Sequence, residues 1–222
     1  PLPKVVSIVA CVADALAYAH GHNVVHRDVK PANVMYEPES DQVKVTDFGI
    51  ARITDSSKTK TGMVLGTPSY MSPEQLSGKK IDGRSDLFSL GVMLFQLVCG
   101  QLPFTGESMA QLMFKIANEA SPDVRLANPA VPAALAEIIN KALVKDAEQR
   151  YQTGAEMARD LRAACAPGAG GVDAVGGLGE VVGFGEVGGA DVAGSGRPDH
   201  PKSLLGDHLT QAGTGHRTGQ QD

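Results

Sequence analysis

The chain has 222 residues, 42% of them apolar and 20% charged, a balance that excludes a wholly disordered or fibrous protein. Its net charge of −5 is mild and no block of Lys and Arg gathers along it, which argues against a nucleic-acid partner. The longest apolar run, Leu90 to Cys99, is about half of the ~20 residues a bilayer span needs, so a buried core helix is expected there and no membrane segment.

In chain order, Val5, Ile8, Val9, Val12, Leu16 and Ala19 recur at helical spacing and predict a helix over 4–20, ended by Gly21 and Asn23. Two short β-type runs follow, Val34-Met35-Tyr36 and Val43-Lys44-Val45, joined by a turn-like stretch from Glu37 to Gln42. A hairpin there sets Asn33 at the start of one strand and Asp47 just past the end of the other, so that both side chains can converge on one ion. Residues 50–80 show no regular period, and so long a loop inside a compact domain is usually functional. A strongly apolar helix is expected over 85–99, closed by Gly100, with Gly91 permitting close helix packing. Further helical patterns lie near 108–119, 132–144 and 154–165. Asp82 or Ser85, Ser108 and Thr153 are the candidate caps.

Composition changes at Ala166. Residues 166–222 hold 16 of the 26 glycines and one aromatic, Phe184, too little apolar surface to offset the entropy of ordering glycine. This segment reads as a disordered low-complexity tail, an unstructured extension or an out-of-frame reading of GC-rich DNA, and carries no assigned function. Cys11, Cys99 and Cys165 are odd in number, without paired or metal-ligand spacing. Two sit in apolar helical patterns and are expected to be reduced core cysteines of a cytoplasmic protein. The chain opens on Pro1-Leu2-Pro3-Lys4 without an initiator methionine or signal peptide, which fits a fragment.

Phosphoryl transfer asks a protein for a carboxylate at the attacking hydroxyl, oxygen ligands for Mg²⁺, and a cation near the transferred group. His26-Arg27-Asp28-Val29-Lys30-Pro31-Ala32-Asn33 and, a hairpin later, Asp47-Phe48-Gly49 supply these groups in order and at short spacing. Either motif alone is weak; together they carry information. On them the sequence resembles the eukaryotic-type protein kinases, in their bacterial serine/threonine branch.

The resemblance implies that Asp28 is the catalytic base and that Lys30 contacts the γ-phosphate of ATP. Asn33 and Asp47 would be ligands of Mg²⁺, with Mn²⁺ a possible substitute, and Met35 would lie under the adenine. His26 would be structural, stacking on Phe48. Gly66 to Glu74 resembles the substrate-docking end of an activation segment, with Thr67 near Asp28 and Lys30, and Ser72-Pro73-Glu74 where many kinases have Ala-Pro-Glu. Glu74 would pair with Arg150, and Asp86 would bond the backbone at His26 and Arg27. Arg27, next to the base, implies control by a phosphothreonine, for which Thr59 and Thr61 are the candidates and Ser56 and Ser57 weaker ones.

The expected fold is therefore mainly α with a small β-hairpin, a kinase-like C-lobe over residues 1–165 whose parent fold is α+β. No Gly-rich phosphate loop and no Lys–Glu pair of an N-terminal lobe occurs in the sequence. The chain alone is thus expected to bind ATP weakly and to transfer little phosphate. The implied partners are Ser- and Thr-bearing proteins and, for autophosphorylation, a second kinase copy. An inactive kinase-fold scaffold is the alternative.

Overall fold

The computed structural model describes residues 1–48 and 68–165. Gly49, the phosphorylation and docking candidates Ser56, Ser57, Thr59, Thr61 and Thr67, the stretch 52–65 and the segment 166–222 lie outside the described residues. The described residues hold seven α-helices and a hairpin, α1 (Leu2–Gly21), β1 (Val34–Glu37), β2 (Gln42–Val45), α2 (Pro73–Leu76), α3 (Gly83–Cys99), α4 (Met109–Asn118), α5 (Val124–Ala127), α6 (Ala133–Ala142) and α7 (Gly154–Ala164), with single 3-10 turns at Pro31–Asn33, Pro68–Tyr70 and Ala147–Gln149.

Helix α1 begins two residues earlier than its stripe predicts, because Pro3 sits in the first turn, where a missing N–H costs nothing. Val5, Ile8, Val9, Val12 and Leu16 are buried as the spacing requires. Cys11 shares the solvent face with Ser7, Asp14 and Tyr18 and is exposed. Cys165 is exposed beyond the last turn of α7 and Cys99 is only half-buried, so none of the three is a core cysteine. Cys11 and Cys99 do sit in apolar helical patterns, but both positions fall off the buried stripe.

By length and composition α1 could also cross a membrane, with a mean hydropathy of 1.6 over its 18-residue window. Lys4 and Asp14 interrupt the run of apolar residues, yet the average stays that high. The stripe is buried against α7 and α3, so here α1 is a core helix.

Helix α3 is apolar on nearly every side and runs through the centre of the core, as a helix without a polar face must. Leu87, Phe88, Leu90, Val92, Met93 and Leu94 have no solvent exposure, each worth roughly 1.5–3 kcal/mol on burial. Asp82 caps it by accepting the Arg84 N–H at 3.0 Å. Ser85, the other candidate cap, instead donates its hydroxyl to Glu74 at 2.6 Å. A Cβ at Gly91 would stand 2.7 Å from the Ala142 Cβ, so the glycine lets α6 lie against α3. At Gly154 a Cβ would come within 2.3 Å of the Ala13 carbonyl oxygen, and α7 docks on α1 at that point.

Ser108 and Thr153 accept the N–H of Gln111 and Glu156 and cap α4 and α7. The short helices α2 and α5 were not foreseen, since four residues are too few to show a period. The two strands pair antiparallel, Val34 opposite Val45 and Glu37 opposite Gln42. Lys4, from the first turn of α1, pairs with Asp41 at the hairpin tip and lies 4.9 Å from the Tyr36 ring centroid, which holds the hairpin onto α1.

Candidate active site

The polar loop between α1 and β1 takes its shape from contacts below it. The Asp86 carboxylate, in the first turn of α3, is almost fully buried. One oxygen accepts the His26 N–H at 2.8 Å and the other the Arg27 N–H at 2.7 Å. His20 Nε2 also bonds it at 2.8 Å. Three donors satisfy a carboxylate that burial would otherwise penalise. His20 was missed in the sequence. Its signals are a polar side chain ending the apolar stripe of α1 and Gly83 opposite, where a Cβ would stand 2.5 Å from the His20 ring.

His26 has no exposure. Its Nδ1 lies 3.3 Å from the Asp28 backbone nitrogen, a donor, and its Nε2 lies 2.8 Å from the Thr46 carbonyl, an acceptor. These partners assign the neutral tautomer protonated at Nε2. The imidazole thus ties the loop to the end of β2 and has no nitrogen left for proton transfer. The Phe48 ring leans on it, centroids 4.7 Å apart at 50°.

Arg27 adopts φ 69°, a left-handed conformation that a Cβ makes costly. It turns the chain so that Asp28 faces outward. The Asp28 carboxylate is about half exposed, and one oxygen takes the Lys30 ammonium at 2.9 Å and the Asn33 amide nitrogen at 3.1 Å. The Asn33 amide also donates to the Asp28 carbonyl at 2.8 Å. Carboxylate, ammonium and amide thus meet within six residues.

With its nitrogen so used, the buried Asn33 side chain has its Oδ1 unengaged among the described residues. Asp47 lies just past β2, exposed, at φ 57°. The Thr46 N–H donates to the Asn33 carbonyl at 2.9 Å, so the hairpin brings these neighbouring positions side by side. An amide oxygen and a carboxylate are hard donors that suit Mg²⁺, an ion that takes few protein ligands and completes its shell with phosphate and water. Among the described residues no three His, Cys, Asp or Glu side chains gather into a metal-binding group. Met35 is 45% exposed on β1, and is no core methionine.

The floor of the site is anchored from the other side. Arg150 is almost fully buried, yet all five of its donors are used. Nη1 bonds Glu74 at 2.9 Å and the Arg84 carbonyl at 2.8 Å, and Nη2 bonds Glu74 at 3.2 Å and the Lys145 carbonyl at 3.1 Å. Nε bonds the Val144 carbonyl at 2.9 Å. Burial pushes the Glu74 carboxyl up, but the bonds from Arg150 and Ser85 outweigh it and leave it below its usual range. Ser89 donates to the Tyr70 carbonyl at 2.6 Å, and the Tyr70 hydroxyl to Gln96 at 2.5 Å, which ties residues 68–76 to α3. These two contacts left no mark in the sequence, because neither residue departs from its local pattern.

Comparison with known proteins agrees with this geometry. A family model described as the protein kinase domain matches residues 3–161. The serine/threonine-protein kinase PknB of Mycobacterium tuberculosis is 42% identical over 161 residues, covering 71% of this chain and 26% of the relative. The DNA damage-responsive serine/threonine-protein kinase RqkA of Deinococcus radiodurans is 39% identical over 160 residues, covering 71% and 24%. The chain therefore spans about a quarter of the length of these curated relatives. Among solved structures, the Mycobacterium tuberculosis PknI kinase domain superposes with a TM-score of 0.57 at 30% identity, over 74% of this chain and 56% of that one. Rad53 in complex with AMP-PNP reaches 0.60 at 24% identity, over 71% and 39%, a likeness of fold.

Proposed function

Because the chain belongs to the protein kinase family and is a partial kinase domain of the serine/threonine type, we propose that its catalytic loop moves the γ-phosphate of ATP to serine and threonine hydroxyls of proteins. The observation that carries this reading is the contact of Lys30 and Asn33 with one oxygen of Asp28. In the transfer the substrate hydroxyl oxygen bonds to the γ-phosphorus as the bond to the β–γ bridging oxygen breaks. Asp28 orients that hydroxyl and accepts its proton. Lys30, two residues on, offsets the negative charge that spreads over the phosphoryl oxygens. Asn33 and Asp47 would hold Mg²⁺, which supplies charge neutralisation at the nucleotide phosphates. Met35, exposed on β1, would face the adenine.

Arg27 is the proposed reader of a regulatory phosphate on Thr59 or Thr61. Its Nε is buried and without a hydrogen-bond partner among the described residues, and a buried donor of this kind calls for an anionic acceptor. A second kinase copy would supply the phosphate by transfer between molecules. Thr67 would dock the substrate hydroxyl, and a cytoplasmic setting goes with ATP as co-substrate.

A chimera tests the reading. Residues 1–165 replace the matching segment of Mycobacterium tuberculosis PknB, and transfer from labelled ATP to a serine- and threonine-bearing protein is followed. Transfer that Asp28→Asn lowers by about 10³-fold or more supports it. A folded chimera without transfer, or one indifferent to Asp28→Asn, overturns it in favour of an inactive kinase-fold scaffold. The 222-residue chain alone is expected to transfer little, since the Lys–Glu pair that kinases need in place does not occur in its sequence.

A further inference from the structure

Gln75 is the third residue of α2, and its side chain makes two bonds of different kinds. Its Oε1 accepts the Ser72 N–H at 2.9 Å while its own backbone N–H donates to the Ser72 hydroxyl at 3.3 Å, a reciprocal capping box. That bond needs only the oxygen, and a glutamate would make it equally well. The amide nitrogen does something a glutamate cannot: it donates to the Arg27 carbonyl at 2.9 Å, across 48 positions of sequence.

Arg27 is the residue that most needs holding. It precedes the base, and its φ of 69° is one that a side chain with a Cβ resists. Asn23, Asp41 and Asp47 share a positive φ, but short Asn and Asp side chains tolerate it by bonding locally. Arg27 has no such help. Its N–H is fixed by Asp86 at 2.7 Å and its carbonyl by Gln75, so the two peptide groups that set its φ and ψ are pinned from opposite sides.

We propose that Gln75 is a positioning residue for phosphoryl transfer, holding Arg27 in its left-handed turn and so coupling the end of the activation segment to the orientation of Asp28. This rests on the reading of Asp28 as the base. A glutamine here, rather than the glutamate that completes most capping boxes, is thereby explained by its second bond. Displacement of α2 would release the Arg27 carbonyl, so order at the end of the segment reaches the catalytic loop through one amide.

Two variants separate the roles. Gln75→Glu keeps the acceptor for Ser72 and loses the donor to Arg27, while Ser72→Ala removes the hydroxyl cap and keeps that donor. Amide hydrogen exchange is measured on the full 222-residue chain. The expected result is exchange at the Arg27 and Asp28 amides about tenfold faster in Gln75→Glu, with Ser72→Ala near wild type there. Loop exchange unchanged in Gln75→Glu, or accelerated equally by Ser72→Ala, overturns the proposal. In the chimera described above, Gln75→Glu is expected to lower kcat about tenfold with the KM for ATP unchanged. Exchange decides the positioning whether or not the chimera transfers phosphate, so this proposal and the reading beneath it fail separately.

Discussion

The face that carries the proposed chemistry and the layer beneath it use charge in opposite ways. On the face, Lys30 and Asp28 meet at 2.9 Å with 36% and 55% of their side chains exposed, where solvent screens the pair and its net worth is small. Beneath, Arg150 meets Glu74 at the same distance with 0% and 12% exposed, and every guanidinium donor is used. A buried pair of this kind adds little over a well-packed apolar pair, yet breaking it from one side is costly. The lower layer thus fixes geometry, and the upper face keeps its groups accessible for reaction.

The comparison breaks most visibly at Arg150. Arg150→Ala leaves Glu74 buried without its partner and is expected to cost about 3–5 kcal/mol in urea unfolding. A loss under ~1 kcal/mol would place the pair with ordinary surface bridges. Asp86→Asn comes next. One of the two N–H groups of His26 and Arg27 would then face an NH₂ in place of a carboxylate oxygen. The expected loss is about 1.5–3 kcal/mol, with faster amide exchange at both residues.

Lys145 sharpens the comparison through pH. Burial and then the charge of Arg150 push its ammonium down to about 8, partly opposed by Glu119. It donates to the Ile116 carbonyl at 2.7 Å and lies 3.7 Å from the Phe104 ring centroid. Because its folded value lies below the ordinary 10.5, the unfolded chain binds that proton more tightly. Lys145 should therefore add stability as pH rises from about 8 to about 10.5. Urea midpoints should show that rise in the wild type and lose it in Lys145→Met. At the small end, Lys30→Met is expected to change stability by less than ~1 kcal/mol while abolishing most transfer in the chimera.

What the sequence disclosed follows the same division. Val5 to Ala19 and Ser85 to Cys99 announced their helices because a buried stripe or an apolar run is a local property. His26 to Asn33 and Asp47 were legible because a reaction demands particular groups at short spacing. Glu74 with Arg150, and Asp86 with the loop backbone, were named only through family resemblance, since 76 and some 60 positions separate the partners. His20, Tyr70 and Gln75 went unread because each looks ordinary where it stands and acquires its role from a distant partner. The cysteines misled for a related reason: an apolar neighbourhood in sequence does not say which side of the helix a residue takes.

The most direct test of this division is the stability of the Asp28→Asn chain. Asp28 sits at the centre of the proposed chemistry, yet its carboxylate is half exposed and bonds only Lys30 and Asn33 among the described residues. The urea unfolding free energy of Asp28→Asn is expected to fall within ~1 kcal/mol of wild type. A loss approaching that of Arg150→Ala would contradict the account, making the proposed catalytic carboxylate part of the framework that holds the fold.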